Sequence, residues 1–404
     1  MGMAKRQMET ADERGWYSCG GWVCAECVAE AALKQVVSDA AGADNACDFC
    51  KGTPAADMDV LTEAFVNGLN TEYANADNEG VPYDSAEGGY HSATTWDTWD
   101  LVHDHSDVFA NDALLQPMVE AIGEQTWTNI NWQLPRYNEQ LASSWSNFCE
   151  QIQYKTRYVF WLRRDGQDEE EEALWGEIPA GRILDQIGRH LLDLDLVRDL
   201  PAGTTLWRAR PVTDQDLEAA SSWGAEALGT APRQYAVKPN RMSPAGIPMF
   251  YGAFDQATAV QEVTQGTPMR LAVGAFELSH ACTVVDFTQL PPIPSMFDPE
   301  HGHQVRALTF LHQFVRQMAT PVRPGHDHID YIPTQVVAEY LMKAFNPGRP
   351  VHGIVYGSSL NRRRCVVLDL DSTCCVEQVD GWSSEHARLG LVPNSVAVLP
   401  AETS

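Results

Sequence analysis

Hydrophobic residues recur every three or four positions through much of residues 57–197, a spacing typical of amphipathic helices. In the first of these patterns, Leu61, Phe65 and Leu69 share one face of a helix that begins near Asp57. Further helices are predicted at 27–40, 114–122, 138–163 and 182–197, with a long acidic loop at 76–112 and an acidic linker at 168–172. The first half of the chain is therefore predicted to be mostly helical.

The pattern changes after Pro201, where short apolar runs are bounded by glycine and proline. Such runs are typical of β-strands. They predict strands at 204–210, 248–253, 269–278, 282–287, 352–359 and 364–370, with helices at 255–264, 305–318 and 334–344. The chain is thus predicted to be a multidomain α+β protein. The predicted domains are a zinc-binding four-cysteine module (1–56), an acidic helical domain (57–198), an α+β domain (199–375) and a C-terminal tail (376–404).

Charge is distributed unevenly between the two halves. The net charge is −27, and residues 1–200 hold 36 acidic against 13 basic residues, whereas residues 201–404 hold 19 against 15. Such acidity argues against a nucleic-acid partner, because phosphate binding needs basic surface. An anionic ligand is expected in the nearly balanced second half. The chain starts without an apolar segment and has no run long enough to span a bilayer, so a cytoplasmic location without membrane contact is expected.

Four of the ten cysteines form two C-x-x-C pairs, Cys24 with Cys27 and Cys47 with Cys50. The 19 residues between the pairs fit the spacing of a structural zinc site. Two such turns present four thiolates that complete a tetrahedron around Zn²⁺. The alternative is four reduced, buried thiols without a metal.

Several motifs follow one another in the second half. Arg208 lies in the strand LWRAR, and Arg241 precedes a turn rich in proline and glycine. Tyr251 lies in the strand after that turn, and Glu262 lies in the helix that Asp255 begins. The segment GIVYGSS then brings Ser358 and Ser359. In this order the motifs resemble the RES domain, a toxin family named for its Arg, Glu and Ser residues, over roughly residues 200–372. The N-terminal part, from the VCAEC pair to about Leu162, resembles the HEPN-like domain that precedes some RES domains.

This resemblance implies an ADP-ribosyltransferase-like fold that consumes NAD⁺. RES domains cleave the bond between nicotinamide and ribose with water or phosphate as acceptor, deplete NAD⁺ and arrest growth, and are usually restrained by an antitoxin. The resemblance places catalytic roles on Arg208, Glu262 and Ser358. It places NAD⁺ binding on Arg208, Arg241, Tyr251 and Ser358.

The residue types suit this chemistry. Cleavage of an N-glycosidic bond passes through an oxocarbenium-like transition state, which the Glu262 carboxylate would stabilise. Arginine binds a pyrophosphate in bidentate geometry, so Arg208 and Arg241 fit that group. The face of Tyr251 suits the cationic nicotinamide ring, and Ser358 would hydrogen-bond to ribose or carboxamide.

Alternatives remain at two positions and for the activity itself. Ser359 could replace Ser358, and Arg210 could replace Arg208. The same fold could transfer ADP-ribose to a macromolecule, or it could be a non-catalytic binding protein. HEPN ribonucleases carry an Arg followed closely by a His, and Arg182 with His190 does not match that spacing. The N-terminal half is therefore interpreted as a sensor, a regulator or an oligomerisation element.

Overall fold

The computed structural model describes residues 14–86, 88–161, 176–267, 269–320, 322–323, 325–346, 348–378 and 388–401. The predicted acidic linker at 168–172 lies outside these ranges. The chain divides into two compact units, Met1–Tyr137 with Pro292–Thr309 (unit 1) and Asn138–Pro291 with Phe310–Ser404 (unit 2). The boundaries of the four domains given above stay predictions. The predicted class, a mixed α+β chain with a helical N-terminal region and a C-terminal sheet domain, is confirmed.

The described residues of unit 1 form mainly four helices. The elements of unit 1 are β1 (Trp22–Val23), α1 (Ala31–Ala40), β2 (Ala56–Asp57), α2 (Met58–Leu69), β3 (Tyr73–Asn75), β4 (Tyr83–Asp84), β5 (Gly89–Tyr90), β6 (Thr95–Asp97), α3 (Thr98–Asp104), α4 (Leu115–Ile122) and β7 (Thr126–Asn129). Helix α2 begins where the Asp57 carboxylate accepts a hydrogen bond from the Asp59 N–H, as N-cap residues do. Its Leu61, Phe65 and Leu69 are fully buried, as their spacing predicts.

The core of unit 1 also takes residues from a distant segment. The Phe297 ring stacks on Phe65 with 5.1 Å between ring centroids. A Cβ on Gly68 would lie 2.2 Å from the Phe297 ring, so only glycine lets the ring approach α2. Arg306 Nε donates to the Glu72 carboxylate at 2.7 and 3.0 Å. Residues 292–309 therefore complete a core that residues 14–137 begin.

The predicted loop at 76–112 is wrong in part, because this segment contains α3 and the short strands β4 to β6. Asp97 caps α3 by accepting from the Asp100 N–H at 2.7 Å, and Leu101 and Val102 are buried. A helix of two turns carries too few apolar positions to show a clear period in the sequence.

Unit 2 is organised around a large sheet. Its described elements are α5 (Tyr137–Glu150), α6 (Ile183–Asp193), β8 (Val197–Leu200), β9 (Thr205–Pro211), α7 (Ala225–Leu228), β10 (Phe250–Ala253), α8 (Gln256–Thr264), β11 (Leu271–Leu278), β12 (Cys282–Asp286), α9 (Val305–Ala319, of which Val305–Thr309 belong to unit 1), α10 (Asp327–Asp330), α11 (Ile332–Lys343), β13 (Gly353–Gly357), β14 (Arg364–Leu368), β15 (Cys375–Glu377), β16 (Leu389–Leu391) and β17 (Ala397–Leu399). The strand order is β15-β16-β11-β9-β10-β14-β13-β12-β8, with β17 paired to β11. Residues after 376, predicted as a tail, thus contribute strands to this sheet.

Two helices end earlier than the sequence predicts. Helix α5 ends at Glu150 and is followed by one π-helical turn, Gln151–Lys155, rather than continuing regularly to 163. Helix α6 ends at Asp193 rather than near Val197, because Asp195 adopts a left-handed conformation with φ of 51°. A left-handed residue just after a helix is a common stop.

The register of the central strands decides which side chains share a face. Strands β10, β14 and β13 are antiparallel neighbours, with Tyr251 opposite Val367 and Tyr356 opposite Cys365. Residues directly opposite one another point to the same side of a sheet. Phe250 lies on the other side, in the main apolar core. Helix α8 covers the side that carries Tyr356 and Cys365, where Ala259 packs against them.

Candidate functional site

The centre of the candidate site is a hydrogen bond between two predicted residues. Ser358 Oγ donates to Glu262 Oε1 at 2.5 Å, and the Leu360 N–H donates to Ser358 Oγ at 3.1 Å. Ser358 is only 2% exposed, whereas the adjacent Ser359 is exposed. The serine hydroxyl is thus oriented so that its proton points at the carboxylate.

The loop after β13 is fixed to helix α8 by side chains. Asp255 caps α8 by accepting from the N–H and the hydroxyl of Thr258, both at 2.8 Å. Asn361 Nδ2 donates to Thr258 Oγ1 at 3.1 Å and to Gln261 Oε1 at 2.6 Å. These bonds hold the loop that carries Ser358 against the helix that carries Glu262.

Tyr251 is held by the turn that precedes its strand. Its hydroxyl lies 3.0 Å from Ser243 Oγ and accepts from the Met242 N–H at 3.3 Å. Burial of the phenol raises the pKa of Tyr251 to about 12. Tyr251 is therefore neutral at physiological pH, and its hydroxyl already has two partners.

Arg241 is fixed at the end of helix α9. Its Nη1 donates to the carbonyls of Met318 at 2.9 Å and Thr320 at 2.6 Å, a favourable place for a cation. Its guanidinium carbon lies 5.7 Å from the centre of the Tyr331 ring. Guanidinium has five N–H donors, and within the described part of the chain those on Nε and Nη2 have no hydrogen-bond partner.

Arg208 has a different environment from the other predicted residues. In β9 it lies opposite Gly274 of β11, whereas its neighbour Trp207 lies opposite Ala253 of β10. Its guanidinium lies 5.1 Å from the Phe250 ring, and Nη1 donates to the Tyr251 carbonyl at 3.1 Å. Burial lowers the pKa of Arg208 to about 10. These contacts are to the apolar core and to the backbone of β10.

Arg210, the alternative to Arg208, has its contacts at the protein surface. Arg210 is exposed. Its Nη1 donates to the Ala227 carbonyl, and its guanidinium lies 5.9 Å from the Trp223 ring. Neither contact involves Glu262 or Ser358.

Tyr356 is a neighbour of the site that the motif-based prediction missed. It lies two positions before Ser358, and its ring packs on the side of the sheet that helix α8 covers. Burial raises the pKa of its phenol well above the ordinary value, the charge of Glu262 raises it further, and Arg241 acts in the opposite direction. Its place two residues before Ser358, in the segment GIVYGSS, was the signal in the sequence that could have identified it. The role of Asn361 has no signal in the sequence, because it depends on two elements meeting.

The four predicted metal ligands come together in unit 1. The Sγ atoms of Cys24, Cys27, Cys47 and Cys50 all lie within 4.8 Å of one another. Cys24 and Cys50 are 3.3 Å apart, and Cys27 and Cys47 are 3.7 Å apart. A tetrahedral site with Zn–S bonds of about 2.3 Å separates its sulfurs by about 3.8 Å. The cluster has the size of a four-thiolate metal site.

The backbone around the cluster favours a thiolate at Cys47, whereas burial raises the pKa of Cys24 and Cys27. Burial alone would raise the pKa of the Cys47 thiol, but N–H groups of Cys50, Cys24 and Phe49 point to it and lower that pKa to about 7. A Cβ on Gly52 would lie 3.3 Å from Cys50 Sγ, so the second turn passes close to the sulfurs. The four cysteines could therefore hold a metal ion.

Two family models match the chain. HEPN/RES N-terminal domain 1 matches residues 40–166, and the RES domain matches residues 205–386. The first match begins after Cys24 and Cys27, so it includes only the second cysteine pair. No curated protein matches the chain. Among the described helices, none is both long and apolar enough to cross a membrane. The chain therefore contains a HEPN/RES N-terminal domain 1 followed by a RES domain, and the resemblance predicted from its sequence is confirmed.

Proposed function

We propose that the RES domain is an NAD⁺ glycohydrolase or phosphorylase with an ADP-ribosyltransferase-like fold. The observation that carries the proposal is the hydrogen bond from the buried Ser358 hydroxyl to Glu262. It joins two residues of the family motif that are far apart in sequence. The match to the RES domain supports an NAD-related role in general.

The reaction separates nicotinamide from ribose. The bond from the ribose C1′ to the nicotinamide nitrogen breaks, and its electron pair leaves with neutral nicotinamide. The oxygen of water or phosphate bonds to C1′, and its proton passes to solvent. The Glu262 carboxylate stabilises the positive charge that develops on the ribose, and Ser358 holds that carboxylate in one orientation.

The two other contacts to NAD⁺ fall on Tyr251 and Arg241. The remaining guanidinium donors of Arg241 suit the pyrophosphate. The face of the Tyr251 ring suits the cationic nicotinamide. Arg208, packed on Phe250, supports β10 through the Tyr251 carbonyl, and we assign it a positioning role on that ground.

The cell-level role follows from the activity. Loss of NAD⁺ would arrest growth, so the protein would act as a cytoplasmic toxin restrained by an antitoxin. We propose Zn²⁺ as the ion of the four-cysteine cluster, with a structural role, because all four positions are filled by protein thiolates and none is left for substrate. The N-terminal unit would then serve as a regulator or as the contact of a homo-oligomer.

The test is nicotinamide release from NAD⁺ by the purified full-length protein, with and without phosphate. Glu262→Gln keeps the size of the side chain and removes its charge, so we expect a rate loss of about 100-fold or more. Glu339→Gln is the matched control, because Glu339 is an exposed helical glutamate in the same unit. Ser358→Ala is expected to lower the rate and Ser359→Ala to leave it unchanged.

The products separate the alternatives. ADP-ribose or its 1″-phosphate as the product names water or phosphate as the acceptor. Label from NAD⁺ on a protein or nucleic acid would indicate a transferase instead. Unchanged NAD⁺ with folded wild-type protein, alone and with cell extract, would contradict cleavage.

A further inference from the structure

Tyr356 has a position that suits contact with a ligand. It lies near the end of β13, and its ring is partly buried against Ala253, Ala259 and Cys365. Strands on both sides of β13 and helix α8 above it leave the ring little freedom to move. The position of the Tyr356 hydroxyl is thus set by packing rather than by a hydrogen bond.

The hydroxyl of Tyr356 differs from the other hydroxyls of the site. Ser358 is occupied by Glu262 and the Leu360 N–H, and Tyr251 by Ser243 and the Met242 N–H. Among the residues that the structure describes, none forms a hydrogen bond with Tyr356. The Tyr356 hydroxyl is thus a fixed polar group that can bond to solvent or to a ligand atom.

The phenol also stays protonated. Burial raises the pKa of Tyr356 well above its ordinary value, and the nearby Cys365, Glu262 and Tyr251 raise it further, while Arg241 acts in the opposite direction. A neutral phenol has one O–H to donate. Tyr356 packs against Ala259, which lies one helical turn before Glu262 on α8. A ribose that faces Glu262 would therefore also lie near Tyr356.

We propose that Tyr356 is a substrate-contacting residue that donates a hydrogen bond to a hydroxyl oxygen of the ribose attached to nicotinamide. This inference rests on the proposed NAD⁺ cleavage and names a contact within it. Tyr356 would orient the sugar, while Glu262 stabilises the charge that develops on it.

Tyr356→Phe tests the contact, because it removes only the hydroxyl and leaves the ring packing. We expect kcat/KM for NAD⁺ to fall about threefold to tenfold, the range of one neutral hydrogen bond. The affinity for ADP-ribose, which retains this ribose, should fall by a similar factor, and the affinity for ADP, which lacks it, should not change. Tyr235→Phe is the matched control, because Tyr235 is exposed in the same unit.

The pH profile distinguishes a donor from an acid or base. Because the phenol stays protonated, the ratio of wild-type to Tyr356→Phe kcat/KM should be constant between about pH 6 and pH 9. A wild-type enzyme that cleaves NAD⁺ while Tyr356→Phe has unchanged kcat/KM and unchanged ADP-ribose affinity would overturn this inference and leave the proposed function intact. A wild-type protein that neither cleaves NAD⁺ nor binds ADP-ribose would overturn both.

Discussion

The four-cysteine cluster and the candidate site around Glu262 and Ser358 (the Glu262 site) are built in opposite ways. The cluster gathers its ligands from two turns between positions 24 and 50, and its geometry depends on backbone N–H groups of the same turns. The Glu262 site gathers side chains between positions 241 and 358, from a turn, a strand, a helix and the loop after β13. The first is specified by local spacing, and the second by the register of a sheet.

The two regions also differ in what stabilises them. A bound metal ion would concentrate the stability of the cluster in a few strong bonds, so losing one ligand should have a large effect. The Glu262 site rests on many hydrogen bonds of about 1 kcal/mol each. A single substitution there is expected to change activity more than stability.

The largest effect is expected from removing metal ligands. In the double variant Cys47→Ser/Cys50→Ser, we expect the zinc content to fall from about one ion per chain to none. Unit 1 should then lose its fold, because structural zinc contributes about 10–16 kcal/mol in small zinc domains. Elemental analysis and limited proteolysis measure both effects.

Cys149→Ser is the control for this experiment, because Cys149 is a half-buried thiol on α5 outside the cluster. It should keep the metal. A folded wild-type protein without any metal would contradict the four-thiolate metal site. The comparison with the Glu262 site would then no longer hold.

An intermediate effect is expected within unit 1, at the ion pair between Arg306 and Glu72. Its side chains are 23% and 11% exposed, between the surface and the buried extremes. Arg306→Met should therefore lower the free energy of unfolding by about 2 kcal/mol in urea denaturation. Arg316→Met, an exposed arginine of the same helix, should change it by less than about 0.5 kcal/mol.

This experiment tests how much residues 292–309 contribute to the stability of unit 1. An equal, small change in both arginine variants would mean that residues 292–309 contribute little. The stability of unit 1 would then rest on residues 14–137 alone. Unit 1 would differ more clearly from unit 2, where the candidate site combines side chains from distant segments.

The smallest effect is expected at Asp255. Burial alone would raise the pKa of its carboxyl, but bonds from Thr258 and the charge of Arg363 outweigh burial and lower that pKa. A carboxyl whose folded pKa is lowered stabilises the fold above its unfolded pKa of about 4, and this contribution is lost as pH falls through the folded pKa. Asp255→Asn keeps the helix cap and loses the charge.

At pH 7 we expect Asp255→Asn to lower the free energy of unfolding by up to about 1 kcal/mol. The effect is small because the ion pair with Arg363 is partly exposed. The difference should shrink below about pH 4, as measured by urea denaturation at a series of pH values. Asp193→Asn, on the exposed face of α6, serves as the comparison. A stability difference that grows on acidification would contradict the sign of the pKa shift.

Most elements of unit 2 could be predicted because their signals are local. Helix α8, predicted at 255–264, is found at Gln256–Thr264, and the strand predicted at 282–287 is found at Cys282–Asp286. An N-cap aspartate, a short apolar run or a flanking glycine acts within a few residues. Helix α3 was missed because two turns give too short a pattern.

The sequence by itself determined the family, the two cysteine pairs and the motif residues Glu262 and Ser358. Only the tertiary structure decided that Arg208 packs on Phe250 and that Tyr356 packs against Ala259 of the helix that carries Glu262. Both outcomes depend on the register between strands, which is fixed by apolar packing over the whole sheet and not by the residues themselves. No local pattern indicated that Phe297 would fill the space above Gly68 in unit 1, because this contact joins a helix to a loop more than 200 residues later in the chain.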